Sequence, residues 1–143
     1  MDAAVNWAGG KAFDAAFGVV AKASKGLRKS VQELREEALK KPEQLHHTVT
    51  KGPEAWRNEY EKILQKYGAT VEDAWNKRTV NHSGDHPVAY REWILRQLVD
   101  ADEVAQAAIA SGRSGGDVFT DFMSKVSDFV QAHPEMLMKE YWR

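Results

Sequence analysis

Between Asp117 and Gln131, the residues Phe119, Phe122, Met123, Val126, Phe129 and Val130 recur at i, i+3 and i+4. That period belongs to an α-helix with one buried face, and a strand cannot carry it. The same spacing returns in "VAYREWILRQLVDADEVAQAAIA" through Tyr90, Trp93, Ile94, Leu98 and Val104. It returns again in "EAWRNEYEKILQKYG" through Trp56, Tyr60, Ile63, Leu64 and Tyr67, and in "SVQELREEALKK" through Val31, Leu34, Ala38 and Leu39. The chain is therefore expected to be mainly α, with its aromatic stripes forming the core. A helical pattern over residues 11–40 is expected to break near Gly26 and to end at Pro42. Gly68 reads as a C-cap, Pro87 as the start of a helix, and "SGRSGG" (residues 111–116) as a flexible connector. Pro134 is expected to open a last helix ending in "EYWR".

Two short stretches break the helical period. "LHHTVT" (residues 45–50) and "KRTVN" (residues 77–81) are β-branched and short, and predict extended segments. Gly52-Pro53 predicts a turn, and Thr70 three residues before Asp73 predicts a short capped turn. The fold class expected is mainly α with a small β element, an α+β arrangement.

At 143 residues the chain suits one domain with a sizeable core. It contains no cysteine, which excludes disulfides, thiolate zinc sites and a cysteine nucleophile. No apolar run approaches the roughly 18 residues of a membrane helix. The longest candidate, "AFDAAFGVVAKA", is interrupted by Asp14 and Lys22, so no membrane association is expected. The N-terminus lacks the pattern of a signal peptide. Charge is uneven: residues 1–98 hold 16 Lys and Arg against 13 Asp and Glu, and residues 99–143 hold 4 against 8. A mildly basic segment thus precedes an acidic helical one.

Four of the five histidines fall in two clusters, His46-His47 and "NHSGDHP" with His82 and His86, while His133 stands alone. Neighbours in extended backbone point to opposite faces, so His46 and His47 cannot easily grip one metal together. One can turn to a metal while the other faces a substrate and takes its proton. Gly84 and Pro87 argue against a regular helix over His82–His86 and for a tight loop that can converge two imidazoles. His46, His82 and His86 would then give a three-nitrogen site with open positions, the arrangement catalytic metals use, and would leave His47 free.

In order, "LHH", a helix ending in "LQKYG", the acidic turn "VEDAWN" and "VNHSGDHPVAYREWILRQL" resemble the HNH/endonuclease VII superfamily, the ββα-metal fold. More narrowly they resemble its A-H-H or L-H-H nuclease toxin domains from bacterial polymorphic toxins. The resemblance covers residues 44–98. It implies an HNH-like metal-nuclease core there, flanked by an N-terminal helical segment (1–43) and a C-terminal acidic helical segment (99–143) in one domain. It implies His46, His82 and His86 as metal ligands, His47 as the general base that activates water, and Asn76 as the asparagine that holds the base's loop, with Asn81 as a rival. The histidine that many relatives carry after the tyrosine is Arg91 here, a residue able to clamp a phosphate.

The expectation is an endonuclease that depends on one divalent metal ion (Zn, Mg, Mn or Ni) and hydrolyses nucleic-acid phosphodiesters, DNA favoured over RNA. Lys51, Arg57, Lys77, Arg78 and Arg91 would contact the nucleic-acid backbone, contacts that carry affinity without sequence information. The resemblance further implies a secreted antibacterial effector delivered into the target cytoplasm and a cognate immunity protein. The alternatives are a non-enzymatic zinc-stabilised module and a helical protein-interaction module.

Overall fold

The computed structural model describes residues 29–142, in a mainly helical α+β architecture with one two-stranded sheet. Most of the helical pattern over residues 11–40, with its break at Gly26, lies outside the described residues. Its end is α1 (Val31–Leu39), opened by Ser30, whose hydroxyl accepts from the Glu33 amide. Leu34 and Ala38 of α1 are buried at i, i+4, whereas Leu39 is exposed. Adjacent helical residues lie about 100° apart, so one narrow buried face cannot take both Ala38 and Leu39.

β1 (Glu43–His47) begins two residues earlier than the extended segment expected, and stops three residues sooner. Its partner decides this. β1 pairs antiparallel with β2 (Lys77–Asn81), from Glu43 opposite Asn81 to His47 opposite Lys77. A 3₁₀ turn, Ala74–Asn76, precedes β2 and ends the ladder, and the Thr48 amide donates to the Asn76 carbonyl at 2.9 Å. The β-branched Thr48–Thr50 segment is thus taken out of the sheet by what lies opposite it.

Between the strands runs α2 (Glu54–Leu64), which tightens into a 3₁₀ turn at Gln65–Tyr67. Gly68 ends it with a φ of 63°, as expected of a C-cap. After β2 the chain enters α3 (Val88–Ala110) at Pro87 and then α4 (Gly115–Ala132). The connector is shorter than "SGRSGG", because the Ser114 hydroxyl accepts from the Asp117 amide and opens α4 at Gly115. A Cβ on Gly115 would lie 2.5 Å from Ile109 Cδ1, so glycine lets the two helices approach here. The last helix expected from Pro134 is two 3₁₀ turns, Pro134–Leu137 and Lys139–Trp142. Met138 between them is extended, with φ −97° and ψ 136°.

One apolar cluster joins Leu34 of α1, Tyr60 of α2, Val80 of β2, Trp93 of α3, Phe119 of α4 and Tyr141 of the last turn. α1 packs on the Pro134–Leu137 turn, and α4 packs on α3 and β2. The described parts of both flanks therefore share a core with the strand–strand–helix unit. No helix among the described residues is long and apolar enough to cross a membrane.

Because Leu34 is fully buried in this shared core, Leu34→Ala is expected to cost about 2–5 kcal/mol. Denaturant unfolding would read the loss, and an unchanged midpoint would show that α1 is an appendage.

Candidate active site

The site forms where β1 ends and α3 begins. His46 faces inward from β1 and is 4% exposed. Past β2, Gly84 with a φ of 85° turns the chain sharply, so that His82 and His86 come together on either side of it. Their ring centroids lie 4.8 Å apart, and His46 stands 4.8 Å from His86 and 5.9 Å from His82. The structure thus brings together the three imidazoles singled out as ligands. Tyr90, one turn beyond His86 in α3, stacks on it with centroids 5.5 Å apart. Its hydroxyl donates to the Thr48 carbonyl at 2.8 Å, fixing the helix start against the end of β1.

Burial governs the charge of this cluster. It pushes His46 down to about 3, helped by the nearby His86, His82 and His47. It pushes His86 down to about 4, helped by His82 and Arg91 and opposed by Asp85. His82 is lowered too, again chiefly by burial, with the Gly84 backbone opposing. At neutral pH all three rings are therefore neutral, the form that ligates a metal.

The donor set fits a divalent cation in kind. His82 Nε2 is buried without a hydrogen-bond partner, a costly state that an ion bound at that nitrogen would relieve. Spacing is tighter than an ion needs. Among the described residues, no group of three or more His, Cys, Asp or Glu is, as it stands, spaced to hold a metal. The Nε2 atoms of His46 and His86 touch at 2.7 Å, whereas two tetrahedral ligands at ~2.05 Å from one ion sit ~3.3 Å apart. Without metal, one of these nitrogens donates a proton to the other, and binding an ion requires the pair to open by roughly half an ångström.

His47 points elsewhere, as the alternation of β1 demands. Its Nε2 lies 3.2 Å from Glu72 Oε1, off the line of a good hydrogen bond. Glu72 also lies 3.4 Å from Lys51 Nζ and 3.4 Å from Lys77 Nζ. Desolvation works against the Glu72 charge, and the two lysines outweigh it, so the carboxyl is held below its usual range. The sequence reading noted the turn "VEDAWN" without singling out Glu72. The one signal available was its position four residues before Asn76.

Asn76 is fully buried. Its Nδ2 donates to the Val49 carbonyl at 2.9 Å and the Val71 carbonyl at 2.8 Å, and its Oδ1 accepts from the Val49 amide at 2.7 Å. It therefore ties the backbone just past His47 to the turn that carries Glu72. Asn81 instead donates to the Lys41 carbonyl at 3.0 Å, on the far end of the ladder.

These histidines line a cavity of about 460 Å³ together with Lys51 and Arg91. Arg91 Nε is buried there without a partner. The remaining basic residues expected at the nucleic acid lie outside this lining. Arg78 is turned toward α4, where it donates to Asp128 and Ser124 at 3.1 Å each and caps the Ala74 carbonyl. That guanidinium holds β2 to α4 in this structure. Arg57 sits on the exposed side of α2, 3.6 Å from Glu61, and Lys77 faces Glu72. His133 is also apart, 3.2 Å from Glu135.

A strand carrying paired histidines, a second strand paired to it, and a helix entered through a histidine loop thus form one unit. A family model described as "a nuclease family of the HNH/ENDO VII superfamily with conserved AHH" matches residues 27–114. The chain belongs to this AHH nuclease family. Where the family name has alanine, this chain has Leu45, whose side chain is largely exposed and therefore free to vary in size. Neither the curated proteins nor the solved structures give a match.

Two measurements test this geometry. Asn76→Ala would leave the buried Val49 amide and two carbonyls unpaired, and is expected to cost about 2–5 kcal/mol in denaturant unfolding. A loss below ~1 kcal/mol would mean that the amide does not organise the loop. For metal-free protein, an unfolded histidine binds its proton near pH 6.5, whereas folded His46 and His86 bind theirs near 3 and 4. Between these limits the unfolded state holds more protons, so stability rises with pH and is lost on acidification below about 6.5. The slope is expected to approach two protons, about 1.4 kcal/mol per pH unit for each. Melts at constant ionic strength that stay level from pH 7 to pH 5 would contradict it.

Proposed function

We propose that this nuclease is a metal-dependent endonuclease that hydrolyses phosphodiesters with little sequence specificity. The observation that carries the reading is the convergence of three neutral imidazoles, two buried and one half-buried, beside a fourth, His47, in a cavity that also holds Arg91 and Lys51. The family and the donor set support one divalent cation at His46, His82 and His86. When bound, it supplies positive charge to the phosphate and leaving oxygens.

The other steps belong to the chain. His47 takes a proton from the water that attacks phosphorus. Arg91, planar and with an unpartnered Nε, holds non-bridging oxygens, and Lys51 adds charge at the cavity rim. The leaving oxygen takes its proton from solvent. Asn76 keeps the His47 backbone in place throughout. Water as the nucleophile makes no use of a ribose 2′-hydroxyl, which favours DNA as a substrate alongside RNA. Contacts to phosphate alone give cleavage tolerant of sequence.

The polymorphic-toxin resemblance extends the proposal to an antibacterial effector domain, delivered into the cytoplasm of a target cell as part of a secreted protein. A producer of such an enzyme needs a cognate immunity protein, one that presents acidic groups to the Arg91 and Lys51 side of the cavity.

Plasmid DNA and RNA digestion with added divalent metal is expected to fall about 10²–10⁴-fold on His47→Ala and to stop with EDTA. Cytoplasmic expression in bacteria is expected to be lethal for the wild type and tolerated for His47→Ala. Full activity of His47→Ala would overturn the mechanism. Metal-replete protein that cuts neither nucleic acid, and unfolds when metal is removed, would make the site a structural staple.

A further inference from the structure

We infer that Glu72 is a positioning residue for His47: its carboxylate fixes the ring so that Nε2 carries the proton and Nδ1 presents its lone pair to water. The inference rests on the proposed role of His47 as the base. Its ground is local. A carboxylate offers acceptors only, so an imidazole nitrogen turned toward it is the protonated one. His47 Nε2 is buried and 3.2 Å from Glu72 Oε1. The two atoms lie within hydrogen-bond distance but out of line, and the inferred bond forms when a rotation aligns them.

The surroundings show why Glu72 stays there although its side chain is 54% exposed. An isolated surface ion pair would hold it weakly. Here Lys51 approaches Oε1 and Lys77 approaches Oε2, each at 3.4 Å, so the carboxylate is gripped from both sides. Lys77 is also the ladder partner of His47, and the sheet register therefore sets the lysine, the carboxylate and the imidazole side by side. Asn76 adds the backbone constraint, because it bonds Val71, the residue before Glu72, and Val49, two residues after His47. The base and its orienter thus hang from one buried amide. Outer partners that orient metal-ligating histidines change activity by about 10–100-fold without touching substrate, and the same scale is expected of a partner that orients the base.

The test combines kinetics with imidazole spectroscopy. With activating metal and DNA, Glu72→Ala is expected to lower kcat about tenfold and to leave KM unchanged or lower, since Lys51 and Lys77 are released for phosphate. Glu72→Gln, whose amide oxygen still accepts a hydrogen bond, is expected to recover much of kcat. In metal-free protein at neutral pH, ¹⁵N spectra assigned with His47→Ala are expected to show His47 as the Nε2–H tautomer, and a mixture of tautomers in Glu72→Ala. An inactive His47→Ala beside Glu72→Ala at wild-type kcat overturns the role of Glu72 and leaves the base intact. A wild-type Nδ1–H tautomer also overturns it. An active His47→Ala removes the base and this inference together.

Discussion

The side chain of Asn76 is the joint on which the site hangs. One buried amide satisfies an amide and a carbonyl of Val49 and a carbonyl of Val71, and its own backbone carbonyl takes the Thr48 amide. Irregular backbone is expensive to bury unless its polar groups are paired, and the segments after β1 and before β2 are both irregular. Asn76 pairs them with each other. The end of β1, the Glu72 turn and the start of β2 then move as one piece, and His47 inherits a fixed place.

Opposite this joint, the fold does something costly. It gathers three imidazoles beside Arg91, His86 half-buried and His46 and His82 buried, each of these two with a nitrogen that lacks a partner. Burial removes their charge, which a metal ligand requires, and leaves lone pairs crowded together, which an empty core would not tolerate. Such local conflict with the rules of packing is characteristic of functional sites. The rest of the structure offsets it. Tyr90 backs the rings and locks α3 to Thr48, and Trp93 packs behind Tyr90. The arrangement binds a cation only if His46 and His86 part slightly, so the strain is relieved by the same event that would activate the enzyme.

How much of this could be read in advance depended on where each deciding partner lies in the chain. Helices carry their own signal, because the residues that share a face are three or four positions apart. The stripes through Tyr60, Trp93 and Phe119 duly became core. The histidine clusters were legible for a similar reason, since a glycine turn and the residue before a proline restrict the loop between His82 and His86. Strand limits were not local. β1 stops at His47 because of the turn that precedes β2, and nothing within "LHHTVT" announces that turn. Charge was least legible: Arg78 is claimed by Asp128, 50 residues away, while Arg91 is left facing the cavity. Glu72 escaped notice because an exposed acid in a turn looks like any other until the ladder sets His47 opposite Lys77.

The proposed chemistry requires one cation shared by His46, His82 and His86. Anomalous diffraction from crystals equilibrated with Mn²⁺ or Zn²⁺ tests it directly. A single strong peak bonded to a nitrogen of each of the three rings, with open positions toward the cavity and His47 unbound, is the expected result. No peak among these rings, or a peak that takes His47 as a fourth ligand, would contradict it.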